Sequence, residues 1–176
     1  MIGIRVIIKL TNFPIHICSL EGAREADISL YDGVITIENS FEDNPFRYGD
    51  EYPEQLILRF DDISTPVDDW IEPSEKHVIR ALNFADTVGP SASLLIHCHW
   101  GISRSSGIAL AIIAKGLGKG KETNSVKLLE QINPYCRPNA LVVYLADEIL
   151  ERNGDLFKAT SKHLNLTGSI KPTYNF

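Results

Sequence analysis

Apolar positions along the chain form short blocks in the first hundred residues and longer helical stripes after them. Ile4 to Leu10 and Ile15 to Ser19 predict two short strands or one broken strand. Ile28 to Tyr31 and Val34 to Ile37 read as two further strands, divided by the hairpin-type turn signal Asp32-Gly33. Glu38 to Glu54 is polar and acidic and contains Pro45, Gly49 and Pro53, which predicts a long loop. Gln55 to Phe60 follows as a strand, and Asp61 to Glu72 as a second acidic loop containing Pro66. Pro73 then opens a helix at its first position, with Ser74 and Glu75 in the first turn and Val78, Leu82, Ala85 and Val88 as its apolar stripe. Gly89-Pro90 ends it. Ser93 to His97 is a continuous apolar run, the kind of strand buried on both faces of a parallel sheet. Arg104 to Leu117 is helical and apolar nearly all round, which predicts a central helix. Glu122 to Ile132 and Asn139 to Glu151 are amphipathic helices, and the pattern fades after about residue 153. This order predicts an α/β fold, a mostly parallel central sheet flanked by helices, as one domain over residues 1–176.

The 44% hydrophobic and 23% charged residues are ordinary for a water-soluble protein, and no apolar run approaches the ~20 residues of a membrane span. Met1 to Leu10 lacks the layout of a signal peptide, so the expected compartment is the cytoplasm. A net charge of −6 argues against nucleic acid or an anionic membrane as partner, because both require a basic footprint. It leaves room for one local anion pocket. No pattern in the chain predicts an oligomeric state. Cys18, Cys98 and Cys136 are too few and too scattered for a disulfide scaffold and are expected as free thiols.

Cys98 sits in the informative stretch, Ile96-His97-Cys98-His99-Trp100-Gly101-Ile102-Ser103-Arg104-Ser105-Ser106-Gly107, between a buried strand and a buried helix. Ligands of open parallel sheets sit beyond the C-terminal strand ends. A tight strand-to-helix loop presents backbone N–H groups as an anion nest, and the helix N-terminus adds free donors and a positive dipole end. Arg104 adds a planar fork for two oxyanion oxygens. Thiols that face helix N-termini and cations react as thiolates. Such a loop would bind phosphate and aim sulfur at phosphorus.

Cysteine, five residues, arginine and serine, preceded by histidine and carrying Gly101, resembles the active-site loop of the cysteine-based protein tyrosine phosphatases, in the form of their tyrosine and dual-specificity branches. Arg137-Pro138-Asn139 before the last helix is similar to a segment these enzymes often carry. The resemblance implies a protein tyrosine phosphatase-like fold and a metal-independent, cofactor-free hydrolysis of phosphate monoesters in a phosphorylated protein or peptide. It implies that Cys98 attacks phosphorus to give a phosphocysteine. Arg104 would hold the equatorial oxygens, and Ser105 would assist departure of the sulfur. His99, Trp100, Gly101, Ile102 and Ser103 would surround the phosphate, with His97 organising the loop and Asn139 supporting it. The family's general acid is an aspartate on a loop after a strand; here Asp62 is first choice and Asp61 second, with Asp68 and Asp69 as outsiders.

Two other signals lead elsewhere. Gly116 to Lys121 has the composition of a nucleotide loop but follows a helix, so a helix end and turn is expected. His97 and His99 have no third partner at metal-ligand spacing. Rhodanese-like or arsenate-reductase-like thiol chemistry is the competing enzyme class, and a catalytically silent phosphopeptide-binding module is the competing non-enzyme; Arg104-Ser105 and the upstream aspartates favour the phosphatase.

Overall fold

The computed structural model describes residues 14–49 and 53–170, so the strand expected over Ile4 to Leu10 lies outside the described residues. The strands are β1 (Ile15–Cys18), β2 (Gly33–Glu38), β3 (Glu54–Arg59) and β4 (Leu94–His97). The α-helices are α1 (Leu20–Glu25), α2 (Glu75–Val88), α3 (Arg104–Leu117), α4 (Glu122–Ile132), α5 (Ala140–Ile149) and α6 (Asp155–His163). The strands lie in the order β1-β4-β2-β3 and every pairing among them is parallel. All four C-terminal ends therefore point the same way, and β4 delivers Cys98 at that edge from between β1 and β2.

Alternation along the strands divides the apolar residues between two layers. Ile35, Ile37, Leu94 and Ile96 face a large core with α2 to α6, while Val34 and Leu95 face a smaller one with Ala23 of α1, Phe46 and Tyr48. Helix α3 is the hub of the large core: every residue from Arg104 to Ala114 is buried. Its carboxyl end stops at Gly118, whose N–H donates to Ala114 O in the expected helix-end turn.

Three expectations are corrected. Ile28–Leu30 is a single 3-10 turn, not a strand, and Asp32-Gly33 does not reverse the chain into a hairpin. Because β2 runs parallel to β4, the two strands begin side by side, and the Asp32 carboxylate accepts from Ser93 N at 2.7 Å and Ser93 Oγ at 3.0 Å to join their starts. Pro73 precedes helix α2 and does not open it; Ser74 is the N-cap, in a capping box with His77. Leu20–Glu25, between two strands, is helical, with Ser19 Oγ accepting from Gly22 N at its start. The chain beyond Asn153, unassigned from the sequence, contains α6, whose Leu156 and Ala159 enter the large core.

Candidate active site

Residues 98–103 turn sharply from β4 into α3 and bring the chemistry-bearing side chains to one point. The Cys98 sulfur is buried and has two donors near it: Gly101 N at 3.3 Å and the Ser105 hydroxyl at 3.3 Å. Arg104, also buried, donates from Nη1 to Phe60 O at 2.9 Å, which ties the start of α3 to the end of β3. Its Nε–H is buried with no acceptor among the described residues. A guanidinium has five N–H donors, so this arginine keeps donors for an anion.

The loop shape is fixed from several sides. Gly101 has φ 72°, and a Cβ there would come within 2.5 Å of the Cys18 backbone. Glycine is therefore required both by conformation and by the closeness of the β1–α1 junction. Leu20 N donates to His99 O, Arg137 N to Ile102 O, and Asn133 Nδ2 to Gly101 O at 2.8 Å. Asn133 was not singled out from the sequence; its place as the C-cap of α4, beside Pro134, was the available signal. His97, at the end of β4, is buried and hydrogen-bonded through Nε2 to Thr36 Oγ1 at 2.8 Å. Burial pushes its pKa down to about 4.

The two leading acid candidates separate completely. Asp61 is buried and turned into the protein, where its carboxylate accepts from Ser40 N at 3.1 Å and Ile71 N at 2.8 Å. Burial by itself would raise its pKa, but these hydrogen bonds and the nearby Arg104 charge lower it overall. Asp61 thus closes the loop from 61 to 71 on itself. Asp62 points the other way, into the cleft above Cys98. One of its carboxylate oxygens accepts from Ser103 Oγ at 2.6 Å and Asn139 Nδ2 at 2.9 Å. Asn139 Oδ1 meanwhile caps α5 by accepting from Leu141 N and Val142 N. Asp68 and Asp69 are exposed and line no part of the cleft.

The cleft has a volume of about 250 Å³ and is lined by Asp62, Cys98, Trp100, Ile102, Ser103 and Arg104, with Arg137 and Thr167 completing it. Trp100 is 72% exposed at the rim, so it is not a core residue. His99 packs edge-on against Trp100 and, with Thr36, Phe46 and Cys98, lines a second, water-sized pocket and not the cleft. Arg137, quoted only as part of a segment, and Thr167, which carries no sequence signal, are additions. Cys18 and Cys136 are poor candidates for chemistry: burial, with the Cys98 charge beside it, pushes the Cys18 thiol up to about 12, and burial pushes Cys136 up to about 11.

No family model matches the sequence. A dual specificity protein phosphatase, YVH1, of Plasmodium falciparum (isolate 3D7) is 40% identical over 74 residues, which is 42% of this chain and 13% of that protein. The chain thus spans a small part of that relative's length. Among solved structures, human DUSP28 superposes with TM-score 0.60 and 15% identity over 78% of this chain and 91% of its own. A mouse putative dual specificity phosphatase complexed with zinc tungstate gives TM-score 0.58 and 16% identity, over 88% and 95%. The active form of Tk-PTP gives 0.56 and 18%, over 80% and 92%. The fold is that of the cysteine-based protein tyrosine phosphatases in their dual-specificity form.

Proposed function

We propose that the protein is a phosphoric monoester hydrolase acting on phosphorylated protein, phosphotyrosine first, through a phosphocysteine intermediate. The observation that carries this reading is the convergence of Cys98, Arg104 and Asp62 on one cleft, from three separate elements. In the first step the Cys98 thiolate attacks phosphorus, the phosphorus–oxygen bond to the substrate breaks, and the Asp62 carboxyl gives its proton to the leaving oxygen. In the second, the Asp62 carboxylate takes a proton from water as that water attacks the phosphocysteine, and sulfur leaves as thiolate toward the Ser105 hydroxyl. The loop N–H groups, the start of α3 and the free donors of Arg104 face the three equatorial oxygens throughout. Asp61 has no part in proton transfer; its hydrogen bonds hold the loop that carries Asp62.

The test is hydrolysis of an aryl phosphate in EDTA. Turnover, inhibition by vanadate, and a loss on the order of 10⁴-fold or more in Cys98→Ser support the reading. Undiminished turnover in Cys98→Ser overturns it, and tight phosphopeptide binding without any turnover identifies a silent binding module instead.

A further inference from the structure

We infer that Arg137 forms a second anion subsite at the mouth of the cleft and selects phosphopeptides that carry an acidic side chain beside the phosphorylated residue. This rests on the phosphatase reading and narrows its substrate class. Two arginines line the cleft, Arg104 buried at the floor and Arg137 exposed at the rim. The Arg137 guanidinium makes no ion pair or hydrogen bond among the described residues. By contrast Arg24, Arg47, Arg59 and Arg152 are each paired with a glutamate. Arg80, on α2, lines no part of the cleft.

The root of Arg137 is fixed although its tip is free. Its N–H donates to Ile102 O at 2.9 Å, its C=O accepts from Thr167 Oγ1 at 2.9 Å, and Pro138 follows it. The guanidinium is thereby kept at the rim of the cleft, in a chain of net charge −6. Trp100 and Ile102, 72% and 36% exposed, add an apolar shelf on the same rim. An apolar shelf with one cation fits a peptide: a ring and aliphatic stems against Trp100 and Ile102, and one carboxylate on Arg137. Residues 99–103 hold no lysine or arginine, and among the described residues the cleft offers Arg104 and Arg137 alone as cations, too few for a polyphosphorylated lipid headgroup.

The test uses the full chain and three phosphotyrosyl peptides that differ only in two flanking residues, both Glu, both Ala or both Lys. At low salt, wild type should favour the Glu over the Ala peptide about fivefold in kcat/KM, the scale of an exposed ion pair, with the preference fading as salt rises. Arg137→Gln should bring that ratio to about one, and Arg137→Glu should move the preference to the Lys peptide. The proposal is overturned if wild type does not discriminate by charge, or if Arg137→Gln lowers all three peptides alike and leaves the ratio unchanged. Faster hydrolysis of a phosphoinositide in phosphatidylcholine vesicles than of the Glu peptide also overturns it. An absence of aryl phosphate hydrolysis by wild type would sink the phosphatase reading on its own. Binding of the same peptides to wild type then decides the subsite, by the same charge ratio.

Discussion

His97 stays neutral in the folded protein down to about pH 4, whereas its ordinary value is 6.5. Above 6.5 both folded and unfolded chains carry it neutral, and its contribution to stability is fully present. As pH falls from 6.5 to 4 the unfolded chain takes up a proton that the folded chain refuses, so stability falls, by about 3 kcal/mol in total, and this loss levels off below 4. Urea unfolding between pH 7 and 4.5 measures the slope, and His97→Gln should flatten it, leaving the contributions of His77, whose pKa burial and the Arg80 charge also lower, and of Glu38 and Asp61, whose carboxylates are held below their ordinary values. A slope unchanged in His97→Gln would refute the assignment. The aspartate pair gives a second residue-scale prediction. Asp62→Asn should lower kcat for a poor leaving group by about 10²-fold or more, with much less effect on a good leaving group. Asp61→Asn should instead lower stability, because Ser40 N and Ile71 N lose a charged acceptor, and it should show no leaving-group dependence. The meeting of Cys98 and Arg104 in one cleft was legible because their spacing is local, seven residues of one loop. Adjacent aspartates present the same chemistry to a reader of the sequence; only the backbone, which sends neighbouring side chains to opposite sides, decides which one meets the cleft.

At the scale of elements, Asn139 joins two functions in one side chain. Its Oδ1 caps α5, and its Nδ2 holds both Asp62 and the Ile63 carbonyl at 3.0 Å. Asn139→Ala should therefore cost about 1 kcal/mol of stability, seen as a 2–4 °C fall in melting temperature, and should lower kcat as Asp62 loses a tether. Asn139→Ser keeps an acceptor for the cap and removes the amide donor, so its melting temperature should fall less than that of Asn139→Ala while kcat falls as far, about tenfold. Equal melting temperatures of the two variants would deny the double role. The long helices were legible because the apolar stripe repeats over several turns: α3 and α4 have the bounds read from the pattern. Short pieces were not. In Ile28 to Leu30 three residues cannot distinguish a strand from a 3-10 turn, and Asp32-Gly33 is as good a joint between parallel strands as it is a hairpin. Thr167 reaches the cleft through backbone pairing with Pro138 and Ala140, which involves no side-chain pattern at all.

At the scale of the whole molecule, the helical layer is joined by a buried ion pair. Arg152, after α5, donates to Glu122 Oε1 at 3.3 Å and to Ala114 O at 2.9 Å, which links α3 and α4 to the start of α6. Arg152→Met strands a buried carboxylate and should cost about 3–5 kcal/mol, and replacing Glu122 by Leu in the same chain should recover most of it. Differential scanning calorimetry of the single and double variants checks both, and a double variant no more stable than the single would contradict the pairing. The parallel sheet has a consequence of a different kind, in time. Ile15 pairs with Leu94, so β1 finds its neighbour roughly eighty residues downstream. On a ribosome adding ~5–20 residues per second, that strand emerges roughly 4–16 seconds before the strand it must join. Through that interval its backbone donors and acceptors are unmatched, and the nascent chain is an open template for any extended peptide nearby. The speed at which codons between β1 and β4 are read should therefore set how much of the newly made protein aggregates.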